Sequence, residues 1–294
     1  MNCPAVTVII PAYRAEGFIA RAASSVFGQT WKDWELVVAS DDGIDYADLL
    51  RRLGLFDARV RCVFTGGTGT GAGCARNAGL DAAAGRVVAT LDADDRLEPT
   101  ALEELVPLAK EHGAAYCARR IVDHSTDEPL PSYDRPLPTG PVTLEEILTS
   151  QVHSYAGIVF DRHRVGARWP GSRELWEDVG FFARCFDHIH RMMHVAEPLY
   201  AYYKREGSIC NRPDTGHEYH LAAKELIDRL DRGDTLGVAD DAGRAAYERF
   251  LRGRLAAEAA FIEDLAAGRC RDFRDFVAGN LDSFHRRPDP TGGQ

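Results

Sequence analysis

The feature that most constrains this chain is a regular alternation of strand and helix patterns in its first hundred residues. Four β-branched runs lie at residues 5–13, 34–40, 59–65 and 86–92, and segments with helical spacing separate them at residues 17–30, 46–53 and 74–85. Strands that alternate with helices form right-handed βαβ units with a parallel sheet. We therefore predict an α/β protein whose ligand binds beyond the carboxyl ends of its strands.

Acidic residues cluster where the fourth run ends, in the stretch RVVATLDADDRLEP. Asp92 and Asp94 are two apart and face the same side of an extended segment, whereas Asp95 points the other way and is expected to brace the loop or cap the next helix. Neighbouring carboxylates destabilise a fold unless something compensates them. A divalent cation with oxygen ligands does so and also binds phosphate. The alternative is a solvated turn before a helix.

The overall composition disfavours several kinds of partner. The chain has 294 residues and a formal net charge of −10, which disfavours nucleic acids and anionic membrane surfaces. Its seven cysteines form no Cys-x-x-Cys pair, so the zinc-ribbon and thioredoxin interpretations fail. The sequence shows no cleavable signal and no apolar run near 18 residues. We therefore expect no transmembrane anchor and a cytoplasmic location.

Four segments in order resemble the inverting glycosyltransferases of family 2. They are VTVIIPAYRAEGFIARAASSVFGQTWKDWELVVASDDGID, GCARNAGLDAAAGRVVATLDADDRLEP, WEDVGFFARCF and YAYYKREGS, within about residues 5–210. The resemblance implies a GT-A type, mostly parallel sheet flanked by helices, with a Rossmann-like nucleotide-binding half. It also implies a nucleotide-sugar donor, expected to be UDP-linked, and a Mn²⁺ or Mg²⁺ ion. The acceptor hydroxyl would belong to a carbohydrate, a lipid-linked molecule or a small molecule.

The resemblance further implies how the nucleotide is held. Three residues after the first strand lie along the base, namely Pro11, Ala12 and Tyr13. An aspartate after the second strand accepts a hydrogen bond from the pyrimidine; Asp41 is our preferred match and Asp42 the alternative. Ile44 replaces the usual Ser of this motif, and Arg14 stands where the family usually has Asn. Arg76 is expected near the base or the diphosphate.

The D-x-D motif of the family is matched by Asp92, Ala93 and Asp94. The resemblance places Asp92 and Ala93 near the nucleotide, with Asp92 also directed toward the metal. It makes Asp94 the principal metal ligand. Lys204 or Arg205 would reach the diphosphate.

Asp178 corresponds to the catalytic base of the family, with Glu177 beside it. The chemistry of sugar transfer explains why carboxylates are needed both in the D-x-D motif and at Asp178. A metal ion neutralises the charge on the departing diphosphate, and a carboxylate on the opposite side of the sugar takes the acceptor's proton, a contribution of about 10²–10⁴-fold. Attack opposite the leaving group inverts the anomeric centre. The alternative for Asp178 is an N-cap of the apolar segment 179–186.

The pattern loosens in the second half of the chain. Residues 123–141 are rich in Pro, Ser and Asp and predict a long surface loop. A strand is expected at residues 155–162, and a short helix at 143–150 with Thr143 as its cap. Trp169 and Trp176 lie in a loop just before Glu177. Either indole stacks on a sugar or packs in the core.

After residue 212 the chain predicts a helical extension, which we define as residues 213–294. Residues 219–230 and 245–268 have amphipathic spacing. This pair is expected to pack on the catalytic domain, to form a homodimer, or to lie peripherally on the inner membrane face, which its acidic residues disfavour. We divide the chain into a nucleotide-sugar-binding half (1–115), an acceptor-binding half of the same domain (116–212) and this extension, with a disordered tail.

Two other functions stay open on the sequence. The segment GGTGTGA contains Gly67-x-Gly69-x-x-Ala72, a variant of the dinucleotide fingerprint that would suit an NAD(P)-binding oxidoreductase. That interpretation explains neither the first strand unit nor Asp94. A non-catalytic sugar-nucleotide binder would share the fold, because a fold does not imply a function.

Overall fold

A computed structural model describes residues 3–150, 157–171, 175–205, 207–208 and 215–280. The first four strands are β1 (Val6–Ala12), β2 (Trp34–Ser40), β3 (Val60–Phe64) and β4 (Val87–Thr90). Between them lie helices α1 (Ile19–Phe27), α2 (Tyr46–Arg52) and α3 (Ala72–Ala82). β1 pairs in parallel with β2 and β4, and β2 pairs in parallel with β3. The predicted parallel α/β arrangement of this half is confirmed.

The burial pattern explains these elements. Every residue of β2 is buried, and in β1 only Pro11 is partly exposed, as expected for strands covered on both faces. Helix α1 buries Ile19, Ala22, Ala23 and Val26. This spacing forms one apolar stripe along the helix. The stripe packs against residues of the sheet in one buried cluster.

The second half of the chain extends the same sheet. Its elements up to residue 204 are β5 (Arg96–Leu97), α4 (Ala101–His112), β6 (Ala114–Asp123), β7 (Pro129–Leu130), β8 (Gly140–Val142), α5 (Leu144–Ser150), β9 (Val159–Asp161), α6 (Arg162–Val165), α7 (Glu177–Cys185) and β10 (Met192–Lys204). The strand order is β3-β2-β1-β4-β9-β6-β10-β5, with β7 beside β6 and β8 beside β10. The predicted division at residue 115 falls inside β6, so both halves share one sheet.

Three sequence predictions in this half need correction or refinement. The predicted loop 123–141 contains the short strands β7 and β8, which are too short to show a periodic pattern. The strand predicted at 155–162 has only three strand residues within the described part, β9. Helix α7 begins at Glu177, two residues earlier than predicted. The predicted cap of α5 is confirmed, because the Thr143 hydroxyl accepts a hydrogen bond from the Glu146 amide at 3.3 Å.

The helical extension packs on the sheet domain. Its helices are α8 (Thr215–Asp231), α9 (Asp241–Ala266) and α10 (Phe273–Gly279). Apolar residues of α8 and α9, including Leu226, Ile227, Tyr247 and Leu251, belong to the same buried cluster as α5 and α7. Of the three expected arrangements, packing on the rest of the chain is therefore the one that the structure shows. The predicted disordered tail, residues 286–294, lies outside the described residues. Among those described, no helix is both long and apolar enough to cross a membrane.

Candidate active site

The carboxyl ends of the main strands meet at one edge of the sheet. β9 runs antiparallel to both β4 and β6, so β6 has the same direction as β4, and β10 is parallel to β6. The loops after β1, β2, β4 and β10 therefore converge on this edge. They carry Tyr13, Asp41, Asp92 and Arg205, which come from widely separated parts of the sequence.

The loop after β4 separates its three acids as the sequence predicts. Asp95 is 1% exposed and accepts hydrogen bonds from the Tyr200 hydroxyl at 2.6 Å and the Tyr203 amide at 2.7 Å. Burial, together with the charges of Asp92 and Asp94, raises the pKa of Asp95 well above its usual range. Asp95 is therefore the internal brace of the loop, as expected.

Asp92 and Asp94 are the more exposed acids of this loop, and each contacts an arginine. Arg76 donates to Asp92 at 2.8 Å, and Nε of Arg205 lies 3.4 Å from Asp94. Burial and the neighbouring Asp92 raise the pKa of Asp94, whereas Arg205 lowers it. Ala93, between the two acids, is half-buried. Arg76 and Arg205 thus partly balance the two carboxylates at the sheet edge.

Arg76 connects this loop to the start of α7. Its side chain is 9% exposed, and it donates to Asp92 and, at 3.0 Å, to Glu177. Burial lowers the pKa of Arg76, but the charges of Asp92 and Glu177 outweigh this effect and raise it overall. Helix α3 approaches the segment before α7 closely at Gly73. A Cβ atom at this position would lie 2.6 Å from the carbonyl oxygen of Pro170. A larger residue there would separate Arg76 from Glu177.

Glu177 and Asp178 occupy the first turn of α7. Trp176 occupies the N-cap position of α7 without a side-chain cap, whereas Asp178 lies two residues later and its carboxylate accepts a hydrogen bond from the Val179 amide at 2.8 Å. Burial and the adjacent Asp178 raise the pKa of Glu177 to about 7, although Arg76 opposes this shift. Asp178 lines a small cavity together with Arg76 and Thr90. The two acids therefore differ, because Glu177 is held by Arg76 whereas Asp178 borders the cavity.

The two candidate aspartates after β2 both brace loops. Asp41 is buried and accepts from the hydroxyls of Thr65 and Thr70 at 2.8 and 2.6 Å and from the Gly71 amide at 2.9 Å. Asp42 accepts from the Tyr46 hydroxyl at 2.8 Å and from backbone amides. Burial raises both pKa values, but the hydrogen bonds lower them overall. Asp42 is the more exposed of the two.

The loop after β1 presents Tyr13, whose side chain is 44% exposed, next to the buried Ala12 and the partly exposed Pro11. Arg14 has a φ of 50°. Asn adopts this left-handed backbone more readily than Arg, which gives a physical reason for the Asn that the family usually has there. The Arg14 guanidinium lies 5.2 Å from the centre of the Tyr13 ring.

Arg205 follows Lys204, the last residue of β10, and packs over the ring of Phe18 at 4.5 Å. Sequence reasoning missed two neighbours of this region, Arg21 and Tyr203. Arg21 lies over the Tyr203 ring at 3.8 Å and donates to the Asp94 carbonyl oxygen at 3.3 Å. No local pattern singles out Arg21, because its role depends on a contact across the fold.

Both candidate sugar-stacking indoles are buried. Trp169 is 3% exposed and stacks on Phe181 with the ring centres 3.6 Å apart. Trp176 is 7% exposed and packs between aromatic rings of the helical extension. The packing alternative therefore describes both residues in this structure, and we assign neither of them to the sugar.

The family model described as glycosyl transferase family 2 matches residues 7–166. This chain belongs to glycosyl transferase family 2. The putative teichuronic acid biosynthesis glycosyltransferase TuaG of Bacillus subtilis is 34% identical over 114 residues, which are 38% of this chain and 45% of TuaG. This chain spans 45% of TuaG, 64% of the putative glycosyltransferase EpsH of Bacillus subtilis and 35% of the glucosyltransferase WfgD of Escherichia coli.

Solved structures support the same fold. TarS of S. aureus in complex with UDP-GlcNAc matches with a TM-score of 0.60 and 19% identity, over 86% of this chain and 71% of that chain. The mannosyltransferase PcManGT from Pyrobaculum calidifontis in complex with GDP-Man and Mn²⁺ matches with a TM-score of 0.56 and 15% identity, over 97% and 86%. The predicted GT-A type fold with its C-terminal helices is confirmed.

The dinucleotide alternative finds less support in the site. The amide of Gly69 donates to the Asp41 carbonyl oxygen at 2.6 Å, and the amide of Gly71 donates to the Asp41 carboxylate. Backbone amides of this turn that a pyrophosphate would need are therefore already in use. The family match also favours the glycosyltransferase interpretation.

Proposed function

We propose that this protein is a metal-assisted, inverting glycosyltransferase that moves a sugar from a UDP-sugar to a hydroxyl acceptor. The observation that carries the proposal is the bridge of Arg76 between Asp92 and Glu177. It joins the acids of the D-x-D loop to the acids of α7 at one edge of the sheet. Sugar transfer needs carboxylates that hold a metal ion beside the leaving diphosphate and a carboxylate that takes the proton of the acceptor. These groups must lie in one crevice.

The nucleotide would lie along the loop after β1. Tyr13 offers an exposed ring beside Pro11 and Ala12. Asp42 or Asp41 would accept a hydrogen bond from the pyrimidine, and the greater exposure of Asp42 favours it over Asp41. The UDP-GlcNAc complex of TarS supports a uridine nucleotide. Lys204 or Arg205 would contact the diphosphate.

Asp92 and Asp94, with Ala93 between them, would hold a Mn²⁺ or Mg²⁺ ion against the diphosphate. No group of three or more His, Cys, Asp or Glu side chains among the described residues is arranged to bind a metal. Two carboxylates, completed by phosphate oxygens and water, match the way Mg²⁺ is usually bound beside nucleotides. The residues present therefore fit the ion. When bound, it would neutralise the negative charge that develops on the leaving diphosphate.

Asp178 would take the proton from the acceptor hydroxyl. It borders the small cavity and accepts a hydrogen bond from the Val179 amide at 2.8 Å, whereas the carboxylate of Glu177 is paired with the Arg76 guanidinium. A positioned base of this kind contributes about 10²–10⁴-fold to the rate. With the base and the diphosphate on opposite faces of the sugar, the acceptor oxygen attacks from the side away from the leaving group. The anomeric centre is inverted as a result.

Calorimetric titration with UDP, GDP and NADH, with and without Mn²⁺, tests the donor assignment. We expect UDP to bind in the presence of Mn²⁺, and Asp94→Asn to weaken this binding at least tenfold, about 1.4 kcal/mol. Asp178→Asn should bind UDP normally but lose UDP release from UDP-sugars. Asp240→Asn, at the N-cap of α9, is the control and should change neither quantity.

Two results would contradict the proposal. Binding of NADH without binding of UDP would support the oxidoreductase alternative. Binding of UDP without any release of UDP from UDP-sugars, with or without added hydroxyl acceptors, would support a non-catalytic binder.

A further inference from the structure

Trp176, the residue before the two acids of α7, has an unusual backbone. Its φ is 71° and its ψ is 18°, which is the left-handed region. A bulky side chain rarely adopts this conformation, so the surrounding structure must impose it. The left-handed turn directs the chain into α7, and Glu177 and Asp178 follow immediately. The orientation of Trp176 therefore sets the direction of both acids.

The groups that hold the Trp176 indole come from the helical extension. The ring of Tyr219, on α8, meets the indole edge-on with the ring centres 4.7 Å apart, and that of Phe250, on α9, does so at 5.5 Å. The Arg254 guanidinium, one turn further along α9, lies 5.0 Å from the indole centre. Aromatic contacts of this geometry and a cation over the ring are both attractive. We call Tyr219, Phe250 and Arg254 the Trp176 clamp.

The helical extension also contacts the last turn of α7 and the residues just after it. Arg184 donates to the Leu236 carbonyl oxygen at 2.8 Å, and Asp187 accepts from the Ala239 amide at 2.9 Å. The extension therefore lies against both ends of α7, and the Trp176 clamp surrounds the residue that directly precedes the two acids.

We propose that the helical extension positions Asp178 and Glu177 through Trp176, an inference that rests on the proposed function. Trp176 and Phe250 are then positioning residues. They touch neither substrate nor metal, but they set where the base lies relative to the acceptor. A shift of the base by about 1 Å can lower a rate by about 10²-fold, so loss of the clamp should affect turnover more than donor binding.

Kinetics of three variants test the inference, with UDP release from a UDP-sugar as the readout and UDP affinity in the presence of Mn²⁺ as a separate measurement. We expect Trp176→Ala to lower kcat about 10²-fold and Phe250→Leu to lower it several-fold. The Kd for UDP should stay within about twofold in both variants. Trp176→Phe keeps a ring inside the clamp and should retain most of the turnover.

Asp187→Ala is the matched control, because it removes a contact between the helical extension and the segment just after α7, away from the two acids. It should lower the melting temperature without lowering kcat. If Trp176→Ala does not fold, Phe250→Leu carries the test. The inference is overturned if wild-type protein turns over UDP-sugar and Phe250→Leu loses no more kcat than Asp187→Ala. If wild-type protein neither binds UDP nor releases it from UDP-sugars, the proposed function itself fails, and this inference fails with it.

Discussion

The guanidinium of Arg76 donates a 2.8 Å hydrogen bond to Asp92 and, through its other terminal nitrogen, a 3.0 Å hydrogen bond to Glu177. One buried cation thus balances an acid from the loop after β4 and an acid from the first turn of α7. The planar fork of an arginine suits this double contact, whereas a lysine offers only a point charge. The two halves of the chain are electrostatically linked at this residue.

We predict that Arg76→Gln is strongly destabilising. It leaves Asp92 and Glu177 without their shared counter-ion, and removal of one partner from a buried ion pair costs about 3–5 kcal/mol. Urea denaturation measures this loss. Arg168→Gln is the matched control, since it breaks the exposed pair with Asp81 and should cost about 0–1 kcal/mol. Equal losses in the two variants would contradict the importance of the bridge.

Arg205→Met should change metal and nucleotide binding in opposite directions. Arg205 competes with a cation for Asp94, so its removal should strengthen binding of Mn²⁺ alone. The same guanidinium would attract a diphosphate, so binding of UDP with Mn²⁺ should weaken by about tenfold, or about 1.4 kcal/mol. Titration calorimetry measures both constants. Arg249→Met, on α9, should change neither, and a shift of both constants in one direction would disagree with this placement of Arg205.

The stability contribution of Glu258 should depend on pH. Burial raises the pKa of Glu258 to about 7, with Arg254 opposing the shift. Because the folded state binds this proton more tightly than the unfolded state, the associated stability is present below about pH 4.5 and is lost as the pH rises through about 7. Glu258→Gln carries no charge at any pH. Relative to wild type it should gain up to roughly 3 kcal/mol between pH 4.5 and pH 8.

Urea denaturation of wild-type protein and Glu258→Gln at several pH values measures that gain. Glu248→Gln, at an exposed position on the same helix, provides the control and should show little pH-dependent difference. A constant stability difference between wild type and Glu258→Gln from pH 4.5 to pH 8 would show that Glu258 is not buried as the structure describes.

Local sequence patterns predicted the alternating strands and helices of the first hundred residues. The strands β1 to β4 and their helices follow from apolar runs and helical spacing, since these periods are set by neighbouring residues. The opposite orientation of Asp95 relative to Asp92 and Asp94 also follows from a local rule, the alternation of side chains along an extended segment. β7 and β8 were missed because strands of two and three residues carry no measurable period.

Contacts between distant segments were not predictable in the same way. The sequence offers Asp41 as a ligand for the base, and only the structure shows that its carboxylate also holds the turn before α3. Trp176 looked like a sugar-stacking residue, yet α8 and α9 enclose it. In both cases the residue type suits either role, and only the packing of remote elements shows which contacts the side chain makes.

The amino-acid sequence by itself determined the α/β alternation, the acids at the end of β4 and the family to which the chain belongs, because these depend on residue types at short spacing. The tertiary structure alone decided that β9 enters the sheet antiparallel between β4 and β6, and that Arg76 joins Asp92 to Glu177. It also decided that the helical extension encloses Trp176, the residue before Glu177 and Asp178. Such contacts join segments far apart in the chain, and their geometry follows from the packing of the whole core.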